Sequence, residues 1–135
     1  MKRALRWLVP LALVASLMIA GYAVWYAGTR EMPRVVVSVP ELSPVAREGR
    51  AAFRRSCAGC HGEDGAGGQG GPPLVHPLYR PGHHADVAFT LAVRRGVVAH
   101  HWNAGDMPPQ RDVAEPELEA IVRYIRELQR ANGIE

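Results

Sequence analysis

Hydrophobic and polar positions follow a helical period in three stretches of the chain and lose it between them. The clearest is 116–130, where Leu118, Ile121, Val122, Ile125 and Leu128 recur at steps of three and four. That spacing predicts one apolar face, with Glu119, Arg123, Arg126 and Glu127 turned outward. Pro116 suits the first turn, Glu115, Glu117 and Glu119 suit the positive end of the helix dipole, and Gly133 follows the close. Residues 86–95 predict a second helix, capped by Asp86, ended by Gly96 and inward-facing at Val87, Ala88, Leu91 and Ala92. Residues 44–56 predict a third, with Val45, Glu48, Gly49, Ala52 and Phe53 near one face and Arg47, Arg50, Arg54 and Arg55 around the rest. Glycine inside a helix costs up to about 1 kcal/mol, so Gly49 predicts that another backbone or a ring crosses there at close range.

The N-terminus has a different pattern. After Lys2, Arg3 and Arg6, residues 7–28 carry no charge. At about 1.5 Å per residue, a helix of that length crosses a hydrocarbon core of about 30 Å. Trp7 at one end and Tyr22, Trp25 and Tyr26 at the other occupy interfacial positions, and Pro10 falls near the first turn. The expectation is one transmembrane helix with the basic cluster in the cytoplasm and everything after Gly28 exported. A cleaved secretory signal is the competing reading, disfavoured by the long apolar run and by bulky Trp25 and Tyr26 where small residues belong. Residues 29–43 hold Pro33, Pro40 and Val35-Val36-Val37 without helical period. They predict an extended tether, or with the valines a short edge strand. The expected organisation is therefore an anchor at 1–28, a periplasmic tether at 29–43 and one domain at 44–135.

Charge narrows the partners. The formal net charge is +3, yet from Ser43 onward 11 arginines face 11 acidic residues, so the excess sits at the N-terminal tip. A nucleic-acid-binding domain needs its basic stripe on the domain itself, and no nucleic-acid partner is expected.

The chemistry concentrates in Cys57-Ala58-Gly59-Cys60-His61. Two thiols three positions apart on one turn, followed at once by an imidazole, suit covalent haem attachment. Both sulfurs can reach the vinyl groups of one porphyrin edge while His61 turns under the ring to the iron. A structural zinc site needs four ligands, and the sequence has no cysteine beyond these two. A thioredoxin-like pair needs a strand-helix-strand setting that nothing upstream supplies. A plain disulfide leaves His61 without a role.

Downstream, Gly62, Gly65, Gly67, Gly68, Gly70 and Gly71 make 62–71 aperiodic. Residues without a Cβ let backbone run against a flat cofactor, whereas a phosphate loop would need a preceding strand and a following helix. Pro72-Pro73-Leu74 comes next, either as an ordinary polyproline turn or as the carrier of a Pro72 carbonyl that takes the free ring N–H of His61. Met107 lies in Gly105-Asp106-Met107-Pro108-Pro109, a polar loop in which core filling is a poor account of a methionine. A thioether held there suits the second axial position of the iron, and His/Met ligation favours electron transfer over oxygen chemistry. His83-His84 and His100-His101 flank the helix predicted at 86–95. They are exposed loop residues, or they converge on a metal such as copper. In a further alternative, His100 or His101 replaces Met107 at the iron.

From residue 44 to residue 133 the chain resembles a class I cytochrome c. The resemblance rests on Gly49 and Phe53 ahead of Cys57-Ala58-Gly59-Cys60-His61, then Gly71-Pro72-Pro73-Leu74, Met107-Pro108 and Ile121-Val122-Arg123-Tyr124-Ile125. It implies a small all-α domain of three or four helices around one haem c bound through Cys57 and Cys60. It also implies that Gly49 marks the crossing of the first and last helices with Tyr124 near it, that the Pro72 carbonyl holds His61, and that Met107 is the distal ligand. Trp102, only five residues before Met107, departs from the family pattern, and no propionate-binding role is carried over to it. The function implied is single-electron transfer between a redox protein donor and an acceptor, without catalysis. The protein is expected at the inner membrane of a bacterium, with the haem facing the periplasm. The alternatives are a haem-binding subunit of a larger respiratory oxidase or reductase, and a haem enzyme or sensor with an open distal site. Arg47, Arg54 and Arg55 either orient an acidic partner or form a solvated helix face. A domain of about 90 residues buries little surface alone, so the haem-free chain is expected to fold poorly.

Overall fold

Helical period becomes helix at each place predicted. In the computed structural model, residues 2–28, 32–68, 70–102 and 104–135 are described, with side chains in the first helix described over 10–26. The elements are α1 (Lys2–Gly28), α2 (Pro44–Ser56), α3 (Ala58–His61), α4 (Asp86–Arg95) and α5 (Glu115–Ala131), with 3₁₀ turns at Glu63–Gly65 and Pro77–Tyr79. The chain divides into two compact units, Met1–Glu31 and Met32–Glu135.

The first unit is α1. Its apolar side chains are exposed, among them Leu11, Leu17, Met18, Ile19 and Val24, and Tyr22 stacks on Tyr26. Among the described residues, no helix is long and apolar enough to cross a membrane, so the predicted spanning segment is not matched there. Trp7 lies outside the described side chains.

In the second unit α2 crosses α5, and the crossing is set by Gly49. A Cβ there would stand 1.9 Å from the Ala120 carbonyl oxygen, so the two backbones meet where no side chain fits. The buried positions of α2 are Ala46, Gly49, Ala52 and Phe53; Val45, expected on that face, is half exposed. Phe53 meets Tyr124 edge-on at 5.7 Å between ring centroids, and Leu118, Ile121, Ile125 and Leu128 complete the core. Ser43 caps α2 by accepting from the Ala46 N–H at 3.2 Å and ties it to α5 by donating to Glu127 at 2.7 Å.

Three expectations need correction. First, 32–43 is no free tether. The Val35 N–H donates to the Ala66 carbonyl at 2.8 Å, Ser38 exchanges two 2.9 Å bonds with Asn132, and Leu42 is buried. Alternation explains it: Val35 and Val37 pack on the core while Val36 stays in solvent, although no strand forms. Residues 29–31 lie outside the described residues. Second, Ala85 and not Asp86 occupies the cap of α4, and Val87 points to solvent, because α4 turns Phe89, Ala92 and Val93 inward. Third, Arg126 is not on the outer face of α5 but only 6% exposed, between Val122 and Gln129 on a buried stripe.

Candidate haem site

The Cys57-to-His61 segment forms where α2 ends. The Cys57 N–H still donates to Phe53 at 2.8 Å, the chain turns, and α3 adds one short helix that carries Cys60 and His61. Cys57, Cys60 and His61 thereby line one cavity of about 440 Å³, within the range of small-molecule and cofactor sites. Leu74, Phe89, Val93, Val97, Leu118, Ile121, Val122 and Ile125 give it an apolar wall, and Met107 lines it too. His61, Pro72, Met107 and both cysteines, separated in sequence by as many as 50 residues, are thus brought to one chamber.

His61 is buried, and its Nδ1 lies 2.9 Å from the Pro72 carbonyl oxygen. A carbonyl accepts only, so Nδ1 carries the proton and Nε2 keeps its lone pair, the form an imidazole needs to bind a metal. Burial holds the His61 pKa below its ordinary value, partly offset by the Pro72 bond. Neutral imidazole is therefore the resting form at pH 7.

The glycine loop serves this ring. A Cβ at Gly71 would stand 3.0 Å from Cε1 and Nδ1 of His61, so the backbone lies directly against the imidazole. Expected against a flat cofactor, the close approach falls on the side chains that would hold it.

Met107 is placed by a bridge rung. Its N–H donates to the Val97 carbonyl and the Val97 N–H to the Met107 carbonyl, both at 2.9 Å. Gly96 makes the rung possible: its φ is 77°, and a Cβ would stand 2.5 Å from the Met107 carbonyl oxygen.

The donor set fits a porphyrin better than the alternatives. Burial, and then the neighbouring Cys60, push the Cys57 thiol up to about 11, and among the described residues neither cysteine belongs to a group of three metal-ligating side chains, so a four-ligand zinc site does not assemble there. Among the described residues no strand accompanies the cysteines, which removes the thioredoxin setting. An apolar chamber with two thiols and one lone-pair imidazole on its wall suits a flat, largely apolar macrocycle that is bonded at one edge and ligated at its metal.

Three features escaped the sequence reading. Arg126 donates to Asp86 and to the Tyr79 carbonyl at 2.7 Å each, to Gln129 at 2.6 Å, and to the His84 carbonyl. Gln129, fully buried, donates to the Leu74 carbonyl at 2.9 Å and to Tyr79 at 3.1 Å. The pair pins the 74–84 loop, which supplies Leu74, Tyr79 and His84 to the cavity wall. The available signal was a polar pair at a three-residue step beside Val122 and Ile125. Asp64, whose φ of 53° is unusual for a residue with a side chain, accepts from Arg50 at 3.0 Å and from the Tyr124 hydroxyl. Trp102 donates from Nε1 to the Tyr79 hydroxyl at 3.0 Å, a role read from geometry alone.

Comparison with known proteins agrees with this site. The family model for cytochrome c matches residues 46–129. The cbb3-type cytochrome c oxidase subunit CcoP of Cereibacter sphaeroides is 32% identical over 84 residues, covering 60% of this chain and 27% of that relative. This chain therefore corresponds to well under two thirds of that protein's length. No solved structure matches the chain. The matched span contains the cysteine pair, the histidine, both proline-bearing loops and Met107, and the chain belongs to the cytochrome c family, with haem c held through Cys57 and Cys60 as its cofactor.

Proposed function

We propose that the protein is a single-electron carrier whose iron is ligated by His61 and Met107. When bound, the haem supplies a one-electron couple; the chain's residues hold it, fix its ligands and exclude water. The observation that carries this reading is the 2.9 Å contact between His61 Nδ1 and the Pro72 carbonyl, which fixes the tautomer and leaves Nε2 as the donor nitrogen. Met107, tied to Val97 and lining the same cavity, would supply a thioether as the second protein ligand of the iron. Two protein ligands favour electron transfer over gas binding. The test is absorption of the reduced protein under carbon monoxide. A spectrum that stays unchanged over minutes supports the carrier, whereas rapid binding, with no Met-to-iron charge-transfer band in the oxidised form, makes it a haem enzyme or sensor.

The N-terminal unit is read as a membrane tether that leaves the haem unit on the periplasmic side of a bacterial inner membrane. The support is a 27-residue helix, Lys2–Gly28, with exposed leucine, isoleucine and valine side chains after a basic tip. Fractionation decides it: recovery in the carbonate-washed membrane pellet supports the tether, and release into the soluble fraction ends it.

A second reading comes from the relative, an oxidase subunit by its name. In it, the chain works inside a larger respiratory complex, with fixed partners in place of diffusing ones. Purification in mild detergent distinguishes the two, since stoichiometric partners through two columns favour the complex and a lone haem protein favours the carrier.

A further inference from the structure

Four histidines flank α4, and the structure sorts them. His83 and His84 precede the helix and His101 follows it, and one ring nitrogen from each lies within 4.8 Å of the other two. Ring centroids are 4.7 Å apart for His83 and His84, 5.8 Å for His83 and His101, and 5.7 Å for His84 and His101. His100 is left out of the group although its ring lies 4.3 Å from that of His101, and its Nδ1 is bonded to the Val98 carbonyl at 2.8 Å. We propose that His83, His84 and His101 form a site for a borderline divalent cation, copper(II) ahead of zinc(II), at the rim of the haem cavity, whose wall His84 and His101 share, and distinct from the haem iron.

Three features support this. His84 is oriented in advance: its Nδ1 lies 2.8 Å from the Leu78 carbonyl and its own carbonyl accepts from Arg126, which leaves Nε2 as the free donor. A carbonyl behind a metal-binding imidazole fixes its tautomer and raises its basicity. The distances are also close to those needed. Metal–nitrogen bonds of about 2.0–2.1 Å at tetrahedral angles put ligand nitrogens about 3.4 Å apart, so the widest pair must close by roughly 1.4 Å. His83 and His101 are exposed and have room to make that movement. Finally, the ligand type selects the ion. No carboxylate belongs to the group, and three neutral imidazoles with water at the fourth position suit copper(II) and zinc(II) rather than calcium or magnesium.

The test uses untagged, haem-loaded protein titrated with copper(II) or zinc(II), with calorimetry for affinity and paramagnetic resonance for the nitrogen ligands of copper. Expected is one equivalent bound with resolved nitrogen couplings, at least tenfold weaker binding in His83→Ala and His101→Ala, and binding within twofold of wild type in His100→Ala. The haem absorption spectrum, recorded for every variant, serves as the check on folding. Unchanged affinity in both His83→Ala and His101→Ala, or copper without nitrogen couplings, overturns the site. So does a His101→Ala protein that has lost a haem ligand, because His101 then belongs to the iron.

Discussion

Arg126 on α5 holds Asp86 at the start of α4 through a 2.7 Å contact, and the two side chains differ sharply in exposure, 7% against 69%. The partnership is therefore lopsided. Asp86 can return to water without loss, whereas Arg126 also serves the Tyr79 and His84 carbonyls and Gln129, and its removal strands the His84 carbonyl and the Gln129 side-chain oxygen while Tyr79 keeps its bond from Gln129. Leaving buried acceptors unpaired costs more than an exposed ion pair gains. Arg126→Ala is expected to cost about 3 kcal/mol, a fall of roughly 15 °C in Tm for a domain of this size, while Asp86→Ala, which leaves the guanidinium its bonds to the Tyr79 and His84 carbonyls and Gln129, costs less. Thermal unfolding followed by circular dichroism measures both, and equal losses would disprove the asymmetry.

Gly49→Ala tests the helix crossing. Its new methyl meets the Ala120 carbonyl, and backbone cannot swing aside as a side chain does. The expected loss is about 3 kcal/mol or more, of the size that overpacking produces. Gly82→Ala, with nothing within 4 Å, is the control and should stay within about 0.5 kcal/mol. Urea unfolding of the two variants side by side gives the comparison.

Much of this architecture could be read from sequence because it depends on period and spacing. Leu118, Ile121, Ile125 and Leu128 announce their helix by their steps, and Gly49 announces a crossing by being costly where it stands. Cys57, Cys60 and His61 form a local motif, so their shared chamber follows from five adjacent letters. What escaped is long-range. Arg126 looks like any outward arginine until the 74–84 loop folds over it, and Ser38 looks like linker until Asn132, 94 residues away, is brought beside it. Hydrogen bonds to backbone carbonyls leave no trace in residue type, and such bonds hold both segments.

The ligand proposal predicts opposite outcomes at two positions. Met107→Ala removes the thioether, so the reduced protein should bind carbon monoxide quickly and its reduction potential should fall. Pro72→Ala keeps the main-chain acceptor for His61, so the haem spectrum should stay as it is while stability drops by about 1 kcal/mol at most. Spectra and redox titrations of both variants make the test, and a Met107→Ala protein that still resists carbon monoxide would move the ligand elsewhere.

Acid should weaken the link between α2 and α5. Burial alone pushes Glu127 up, but the Ser43 N–H and hydroxyl, at 3.0 and 2.7 Å, and then Arg123 and Arg130, bring it below its ordinary 4.5. A folded-state value below the unfolded one means stability that is present above about pH 4.5 and lost as pH falls through the lower folded value. Tm measured from pH 7 down to pH 3 should therefore drop less steeply in Glu127→Gln than in wild type, and parallel curves would remove Glu127 from the account.

Without haem the chain would open the apolar wall of a chamber of about 440 Å³ to water or collapse it. Either course forfeits apolar burial that a domain of about 90 residues can ill spare. Cys57→Ser combined with Cys60→Ser should lose most far-UV helical signal from residues 32–135, and native helix content in that variant would show that the polypeptide needs no cofactor to fold.

The paired bonds between Val97 and Met107 fasten both ends of the 98–106 loop at one rung. The rung is made by main-chain atoms, so it depends on the backbone at Val97 and Met107 rather than on their side chains. The loop is nevertheless no free insert: His100, His101 and Trp102 line the same chamber as Met107, so rewriting it would reshape the wall that a bound macrocycle meets.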